Sequence, residues 1–351
     1  MIGERIRMAR RAAGLSQQAL GDKAGVSKMS ISKYERSEMT PGSAMLVRIA
    51  EATGMRVDYF LRPVTFQLSS PCYRSKSSMS AKSRGVVEDT VREWLDRYVG
   101  VESLLDVSTP FPHAGAMREI RTMDDVERAA QKLRHAWDLG DDPIPSVVGM
   151  LEDRGVKVGL IDGKIGFDAL TFWIDEVSPA IAVHRDVPGD RERFSICHEL
   201  GHIVLATTAD LSAEKASQRF AGAFLVPAQT ARRELGERRH TLDPRELYEL
   251  KHEYGMSMNA WVHRAADLGI IDSSVAIGLY KQFGKLGWRT TEPGAPVPFE
   301  VPSRLELLVL RATSEGVIGD ARAAELLGKT LREFRHWRLE SWHEDAAPVC
   351  T

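Results

Sequence analysis

Residues 191–205 read RERFSICHELGHIVL and contain HELGH, an HExxH motif that starts at His198. The apolar residues recur with helical spacing, which predicts one amphipathic helix over Arg193 to Val204. Residues four apart share one face of a helix, so the imidazoles of His198 and His202 can reach one cation while Glu199 lies beside them. We expect Zn2+, because imidazole nitrogen suits it and three protein ligands plus water are its usual catalytic arrangement. Bound zinc lowers the pKa of water to about 7, and Glu199 would act as the general base.

A catalytic zinc site of this kind needs a third protein ligand. The following segment, Ser212 to Pro227 (SAEKASQRFAGAFLVP), is predicted to form a second helix packed on the first. Glu214, near its start, is the candidate third ligand. The alternative is that Glu214 is a first-turn acid favoured by the helix macrodipole, and Asp210 is the fallback ligand.

The two predicted helices together resemble a known family. The stretch RERFSICHELGHIVL followed by the pattern ExxxxxFAxxxLxP is similar to the ImmA/IrrE family of zinc metallopeptidases. The resemblance implies a zincin-like domain, with Glu199 as catalytic base and, as zinc ligands, His198, His202 and Glu214. The chain departs from the family at Ser217 and Gln218, where the family has Ala-Asn, but the ligand Glu stays in register.

The N-terminal segment Gly3 to Leu61 carries a second pattern, that of five short helices. Ser16 and Ser27 are predicted N-caps of the second and third of them, with a tight turn at Gly25 between. The third helix, Lys28 to Glu35, has an exposed polar and basic face. Two helices joined by a short Gly-containing turn indicate a helix-turn-helix, whose second helix enters the DNA major groove.

The sequence of this segment also resembles a known family. Residues 14–42, GLSQQALGDKAGVSKMSISKYERSEMTPG, resemble the XRE (Cro/C1-type) DNA-binding family. The resemblance implies that Gln17 meets a phosphate or a base and that residues of the third helix read bases. Tyr34 and Glu35 are expected to be structural. The full set of DNA-contact candidates is Gln17, Ser27, Lys28, Met29, Ser32 and Lys33.

The charge distribution favours the same interpretation. Residues 1–64 hold 11 Lys and Arg against 6 Asp and Glu, a net charge of +5, whereas the whole chain carries −2 and the remainder therefore −7. Basic charge is thus concentrated where double-stranded DNA would bind. The alternative is a helical protein-interaction domain of the same shape. Because half-sites are normally read by a dimer, we expect a homodimer on a roughly palindromic operator.

The overall organisation follows from these two patterns. We expect a mainly α protein with a small β-sheet (α+β), in which short apolar runs from Val156 to His184 form a mostly antiparallel sheet ahead of the zinc helix. A helix over Val86 to Leu105 is expected to pack on the peptidase domain. The predicted segments are a helix-turn-helix domain at 1–64, a linker and bridging helix at 65–120, a peptidase domain at 121–240, and a helical C-terminal region at 241–351 with a Pro-rich extended linker near 293–302. A Ser- and Lys-rich linker is expected at 71–84, and a pair of helices at 303–334.

Composition excludes several classes of protein. No stretch approaches the run of about 20 apolar residues that spans a membrane, and the N-terminus lacks a secretory segment, so we expect a cytoplasmic protein with no membrane partner. The three cysteines, at 72, 197 and 350, form no CxxC pair, which argues against a disulfide framework and against a thiolate zinc site. Cys197 is expected to be a small core residue.

The sequence therefore predicts a DNA-binding transcriptional regulator that carries a zinc-dependent endopeptidase, acting on a regulatory protein such as a repressor. The alternative is a regulator whose zinc domain is a sensor or interaction module without turnover. Substitution of Glu199 by Gln separates the two, because zinc would remain bound in both cases and only an enzyme would lose cleavage.

Overall fold

The computed structural model describes residues 2–62, 66–69, 81–112, 117–162 and 167–340. Contacts divide the chain into two compact units, Met1–Gln67 with Ser78–Ser108 and Leu305–Thr351, and Leu68–Ser77 with Thr109–Arg304. Among the described residues, no helix combines the length and the apolar character needed to cross a bilayer.

The first unit is entirely helical in its described residues. Its helices are α1 (Ile2–Ala12), α2 (Gln17–Ala24), α3 (Lys28–Glu35), α4 (Ser43–Thr53), α5 (Val57–Leu61), α6 (Ala81–Leu105), α15 (Arg304–Ser314), α16 (Asp320–Leu326) and α17 (Leu331–Glu340). The five helices expected within residues 3–61 are all present. Between residue 303 and residue 340, where the described part of the chain ends, there are three helices rather than the expected pair.

Local signals in the sequence set the ends of the DNA-binding helices. The hydroxyl of Ser16 accepts a hydrogen bond from the amide of Ala19, and Ser27 does the same for Ser30, so each serine caps the helix that it precedes. Gly25 ends α2 at φ 71°, a left-handed conformation that glycine adopts without strain. Helix α3 begins three residues after Gly25.

The bridging helix α6 belongs to this first unit. The guanidinium of Arg5, 1% exposed, donates to both carboxylate oxygens of Asp96 at 2.6 and 2.8 Å, and Arg11 pairs with Asp89. The expectation that α6 packs on the peptidase domain is therefore wrong: it packs on α1 instead. The apolar periodicity predicts an amphipathic helix but does not indicate which apolar surface covers it.

The second unit combines helices with two small sheets. Its helices are α7 (Met123–Ala136), α8 (Val147–Asp153), α9 (Gly189–Val204), α10 (Ala213–Leu225), α11 (Ala228–Leu235), α12 (Pro244–Tyr254), α13 (Met258–Asp267) and α14 (Ser273–Lys285). Its strands are β1 (Leu68–Ser69), β2 (Met117–Ile120), β3 (Lys157–Ile161), β4 (Ala169–Ile174), β5 (Ser178–His184) and β6 (Leu205–Thr207).

The larger sheet has the strand order β1-β4-β5-β3. A three-residue turn, Asp175 to Val177, joins β4 to β5 as a hairpin; Asp175 and Glu176 adopt φ of 50° and 61°, and the amide of Val177 donates a hydrogen bond to the carbonyl of Ile174. Strand β1 also pairs antiparallel with β4, whereas β3 pairs parallel with β5. The sheet is therefore mixed. Strands β2 and β6 form a separate parallel pair that the sequence did not predict.

The four predicted segments do not follow these units one for one. Residues 241–304 share the second unit with the predicted peptidase segment, and the helices after residue 304 share the first unit with α1 to α6. Most of the linker expected at 71–84 lies outside the described residues, and residues 81–84 begin α6.

The Pro-rich stretch at 293–302, expected to be an extended linker, contains neither helix nor strand, and it packs on other parts of the second unit. The carboxylate of Glu300 accepts hydrogen bonds from the amides of Val147 and Val148 at 3.1 and 2.7 Å, capping α8. Glu300 also pairs with Arg193 of α9. A side chain at Gly189 would collide with the backbone of Pro298, which shows how closely the stretch approaches the start of α9.

Candidate metal centre and nucleic-acid interface

Helix α9 carries the HExxH motif and starts four residues before the predicted helix. Its buried face fixes the helix in the core of the second unit through Ile196, Cys197 and Leu200, which are all fully buried. Burial raises the pKa of the Cys197 thiol to about 12, so this cysteine stays a neutral core residue, as expected. The histidines face the opposite way, toward a cavity.

Helix α10 crosses α9 at very short range because Gly201 has no side chain. A Cβ atom placed on Gly201 would lie 3.0 Å from the Cα of Ser217 and 3.2 Å from a ring carbon of Phe220. This close approach brings the start of α10, where Ser212 caps the helix, next to the HExxH face. Glu214, in the first turn of α10, therefore lies beside the HExxH motif.

Three side chains meet at this point. The Nε2 atoms of His198 and His202 lie 3.1 Å apart, and each lies 3.4 Å from a carboxylate oxygen of Glu214. Two ligands of one tetrahedral zinc, with bonds of about 2.1 Å, are separated by about 3.4 Å. The two imidazole nitrogens and the two oxygens of the Glu214 carboxylate are therefore close enough to share one metal ion, and one ligand atom from each residue lies within 4.8 Å of the others.

The donor set fits the same ion. Two imidazole nitrogens and one carboxylate oxygen are ligand types that zinc accepts, and a site with three protein ligands leaves room for water. The imidazoles are 13% exposed and the Glu214 side chain is 54% exposed. Asp210, the fallback ligand, is exposed and does not belong to this group of side chains.

Glu199 lies beside the group and is almost completely buried, at 1% exposure. The hydroxyl of Thr171, on β4, donates a hydrogen bond of 2.8 Å to Oε2 of Glu199. This contact fixes the orientation of the carboxylate toward the cavity that Glu199 lines. Sequence reasoning missed Thr171. The available signal was a buried polar residue in an otherwise apolar strand, ALTFWI.

The cavity beside the three ligands has a volume of about 440 Å³. Besides His198, Glu199 and Glu214, its lining is Phe167, Asp168, Ala169, Arg191, Phe194, Ser195 and Gln218. Arg191 and Asp168 form an ion pair of 2.5 Å at its rim. The cavity can therefore hold a short piece of extended chain against the metal group.

The first unit presents a different surface. Along α3, the side chains of Ser27, Lys28, Met29 and Lys33 are exposed, and Ser32 is half-buried. Met29, at 62%, is unusually exposed for an apolar side chain. The structure thus leaves most of the predicted base-reading face open to solvent, while Ile31 and Tyr34 pack in the core.

The remaining DNA-contact candidate, Gln17, forms a hydrogen bond to a buried carboxylate. Its amide donates a hydrogen bond of 2.7 Å to Oε2 of Glu35, and Arg10 pairs with the same carboxylate at 2.5 Å. Glu35 is 8% exposed and is structural, as expected. The buried ion pair ties α1 to α3, so that α2 and α3 keep a fixed arrangement.

Comparison with known proteins identifies both regions. The family model described as IrrE N-terminal-like domain, Peptidase_M78, matches residues 152–266, and a helix-turn-helix model matches residues 6–60. The first region contains α9 and α10 and the second contains α2 and α3. The chain therefore combines an IrrE N-terminal-like domain with an XRE-type helix-turn-helix domain, as the sequence patterns indicated.

Two curated relatives match the N-terminal region. "Repressor protein C2" of Salmonella phage P22 is 40% identical over 62 residues, which are 18% of this chain and 29% of the relative. An "uncharacterized transcriptional regulator in ATPase CF(0) region" of Rhodospirillum rubrum is 39% identical over 59 residues, 17% of this chain and 55% of the relative. The matched segment thus spans less than two thirds of either relative.

A solved structure also matches this segment. It is the solution structure of the DNA-binding domain of the P22 C2 repressor, with 41% identity over 17% of this chain and 80% of that chain, and a TM-score of 0.17.

Proposed function

We propose that this chain, which joins an XRE-type helix-turn-helix domain to an IrrE N-terminal-like domain, is a DNA-binding transcriptional regulator with zinc-dependent endopeptidase activity. Its substrate would be a regulatory protein such as a repressor. The observation that carries the enzymatic part is the spacing of 3.1 to 3.4 Å among the ligand atoms of His198, His202 and Glu214, with the Glu199 carboxylate beside them.

Each residue of the site has a distinct role in the proposal. The two imidazoles and the Glu214 carboxylate hold the zinc. When bound, zinc acts as a Lewis acid that polarises the scissile carbonyl and makes water acidic enough to be deprotonated near neutral pH. Glu199 takes the proton from the attacking water and returns it to the leaving nitrogen. Thr171 holds Glu199 in place through its 2.8 Å hydrogen bond.

The DNA-binding part rests on α3 and its supports. Lys28, Met29 and Lys33 are exposed on one helix that follows a short turn, which is the arrangement by which a helix-turn-helix enters the major groove. The phage repressor domain that this region resembles is described as DNA-binding. We further propose a homodimer that reads two half-sites about one helical turn of DNA apart.

The experiment that tests the enzymatic part compares the zinc-loaded wild-type protein with Glu199→Gln. Both are incubated with denatured casein and with a synthetic octapeptide library, and new termini are identified by mass spectrometry. A general base contributes about 10²- to 10⁴-fold, so we expect at least a hundredfold loss of cleavage in the variant with no loss of zinc.

Two outcomes contradict the enzymatic part. Equal cleavage by both proteins would remove Glu199 from the chemistry. No cleavage by either protein, with zinc bound in both, would favour the non-catalytic sensor or interaction module.

A further inference from the structure

A second cavity, of about 670 Å³, adjoins the metal cavity within the second unit. Arg191, Phe194 and Gln218 line both cavities, so one continuous surface of α9 and α10 leads from the metal ligands into the second cavity. Its volume lies in the range of 300 to 1,000 Å³ that is typical of ligand pockets. Its far wall is formed by α13, α14 and the segment after α14.

Three aromatic side chains contribute to the walls of this cavity, which we call the aromatic pocket. Phe194 of α9, Tyr280 of α14 and Trp288 are each half-buried and face it. Burial raises the pKa of the Tyr280 hydroxyl to about 12, so the ring stays neutral. Ala260 of α13 also lines the pocket, and its small side chain takes little of the space. A large flat apolar group fits such walls.

Most charged side chains of the aromatic pocket are held in ion pairs. Its carboxylates all have cationic partners: Asp190 and Glu292 pair with Lys251 at 3.3 and 3.0 Å, and Asp267 pairs with Arg219 at 3.0 Å. Arg264 is likewise neutralised by Glu127. Arg289 is exposed at the rim and makes no ion pair with any described residue within 4 Å. Arg289 is therefore the cation of this pocket that stays available to an acidic ligand.

We propose that the aromatic pocket is a specificity subsite for the peptide that occupies the metal cavity. It takes an aromatic side chain of that peptide, and an Asp or Glu close to this residue in the sequence pairs with Arg289. This inference rests on the proposed function, because an extended peptide advances about 3.3 Å per residue and can reach from the metal ligands to the neighbouring cavity. The inference adds a substrate class to the proposed function: a peptide segment with an aromatic and an acidic residue.

The test measures peptide capture and peptide cleavage separately. Immobilised, zinc-loaded full-length Glu199→Gln is exposed to a synthetic library of acetylated and amidated octapeptides, and the retained peptides are sequenced. We expect at least tenfold enrichment of peptides in which Phe, Tyr or Trp lies at a fixed distance from Asp or Glu. Adding Ala260→Trp, which fills the aromatic pocket, abolishes the aromatic enrichment.

A matched control and a second variant keep the result interpretable. Ala228→Trp, which places the same side chain on a half-buried alanine of α11 outside both cavities, retains the enrichment. Trp288→Ala removes a wall instead of filling the space and also loses the aromatic preference. Zinc content and circular dichroism establish that each variant is folded.

The acidic preference has its own pair of variants. Arg289→Ala loses the preference for Asp or Glu and keeps the aromatic one, whereas Lys281→Ala, which removes an exposed cation from α14 outside the pocket, keeps both. An acidic preference that survives in Arg289→Ala would remove this residue from recognition.

The outcomes also separate the subsite from the catalytic proposal. Absence of aromatic enrichment, or its persistence in both Ala260→Trp and Trp288→Ala, overturns the subsite. Enriched peptides that the zinc-loaded wild-type protein does not cleave support the subsite and contradict the peptidase. Cleavage without aromatic preference leaves the peptidase and overturns the subsite.

Discussion

At the scale of residues, the candidate centre depends on contacts of two kinds. His198, Glu199 and His202 lie within one helical turn, so the sequence alone places them together. Thr171 is 28 positions from Glu199, and their 2.8 Å hydrogen bond exists only because β4 lies beside α9. The first kind of contact could be predicted. The second could not, because a strand and a helix can pack in several registers with the same apolar pattern.

Replacing Thr171 by Val removes this hydroxyl while conserving the shape of the side chain. We expect a loss of kcat of about tenfold, equivalent to about 1.4 kcal/mol, because Glu199 remains present but is no longer held in position. Zinc content should not change, since Thr171 is not one of the metal ligands. Steady-state kinetics on a peptide that the wild-type protein cleaves, together with elemental analysis, measure both quantities.

Thr171→Ser is the conservative control, because it keeps the donor and should restore most of the lost kcat. A Val variant that is as active as the wild-type protein would show that Thr171 does not position the carboxylate.

At the scale of elements, the sequence identified the helices and strands better than their partners. The HExxH helix, the helix that carries Glu214, and α3 all occur where their periodicity and capping residues indicated. The Pro-rich stretch was predicted to be a linker, and its packing on α8 and α9 was not predicted. That packing depends on individual hydrogen bonds to Glu300, which leave no periodic signal in the sequence.

The contact between this stretch and α9 should make stability depend on pH. Glu192 is completely buried, and this burial raises the pKa of its carboxyl to about 8. The carboxyl also accepts, at Oε2, a hydrogen bond of 2.8 Å from the amide of Glu300, and Arg193 is a nearby cation. A carboxyl whose pKa is raised on folding binds more protons in the folded state, so stability falls as pH rises from about 5 to 8.

Glu192→Gln mimics the protonated carboxyl and should remove this cost. At pH 8 we expect the variant to be more stable than the wild-type protein by about 1 to 3 kcal/mol, with little difference near pH 5, since one pKa unit is worth about 1.4 kcal/mol. Urea unfolding at several pH values provides the comparison. A variant that is less stable at pH 8 would mean that the ionised carboxylate is the favoured form.

The exposed lysines of α3 give a prediction about DNA binding. Lys28→Ala and Lys33→Ala, both on α3, should weaken binding to an operator selected from random duplex DNA. Each lost phosphate contact should lower the slope of log affinity against log salt concentration by about 1. Fluorescence anisotropy at several salt concentrations measures the slope, with Lys281→Ala as an exposed lysine outside this domain. Unchanged slopes would exclude both side chains from the interface.

At the scale of the whole molecule, the helices α15 to α17 belong to the first unit although they follow the second unit in the sequence. The helices α15 to α17 form an apolar cluster with α6, in which Tyr98, Val101, Leu308 and Phe334 are buried. Sequence boundaries drawn in order along the chain could not show this, because nothing in a local pattern states that residues 305–340 and 81–105 cover each other. The DNA-binding domain is therefore part of a larger unit than its five helices.

A truncation of Phe334 tests the contribution of these C-terminal helices. Phe334 is fully buried, so Phe334→Ala should cost about 3 to 5 kcal/mol, a large share of the stability of one unit. Hydrogen exchange of α6 and α17 should accelerate, whereas exchange of α9 and α10, in the second unit, should not. Leu339→Ala, at a residue 73% exposed, is the control and should change stability by less than about 0.5 kcal/mol. Equal exchange of α6 in both variants would contradict the cluster.

The central claim is that His198, His202 and Glu214 bind one zinc ion, and the metal content of the purified protein tests it most directly. After reconstitution and dialysis, elemental analysis should find about one zinc per chain in the wild-type protein and in Glu199→Gln. His202→Ala and Glu214→Ala should both lose it, because each removes one of the three protein ligands. A wild-type protein that retains no zinc, or a Glu214→Ala variant that retains as much as the wild type, would contradict the three-ligand centre.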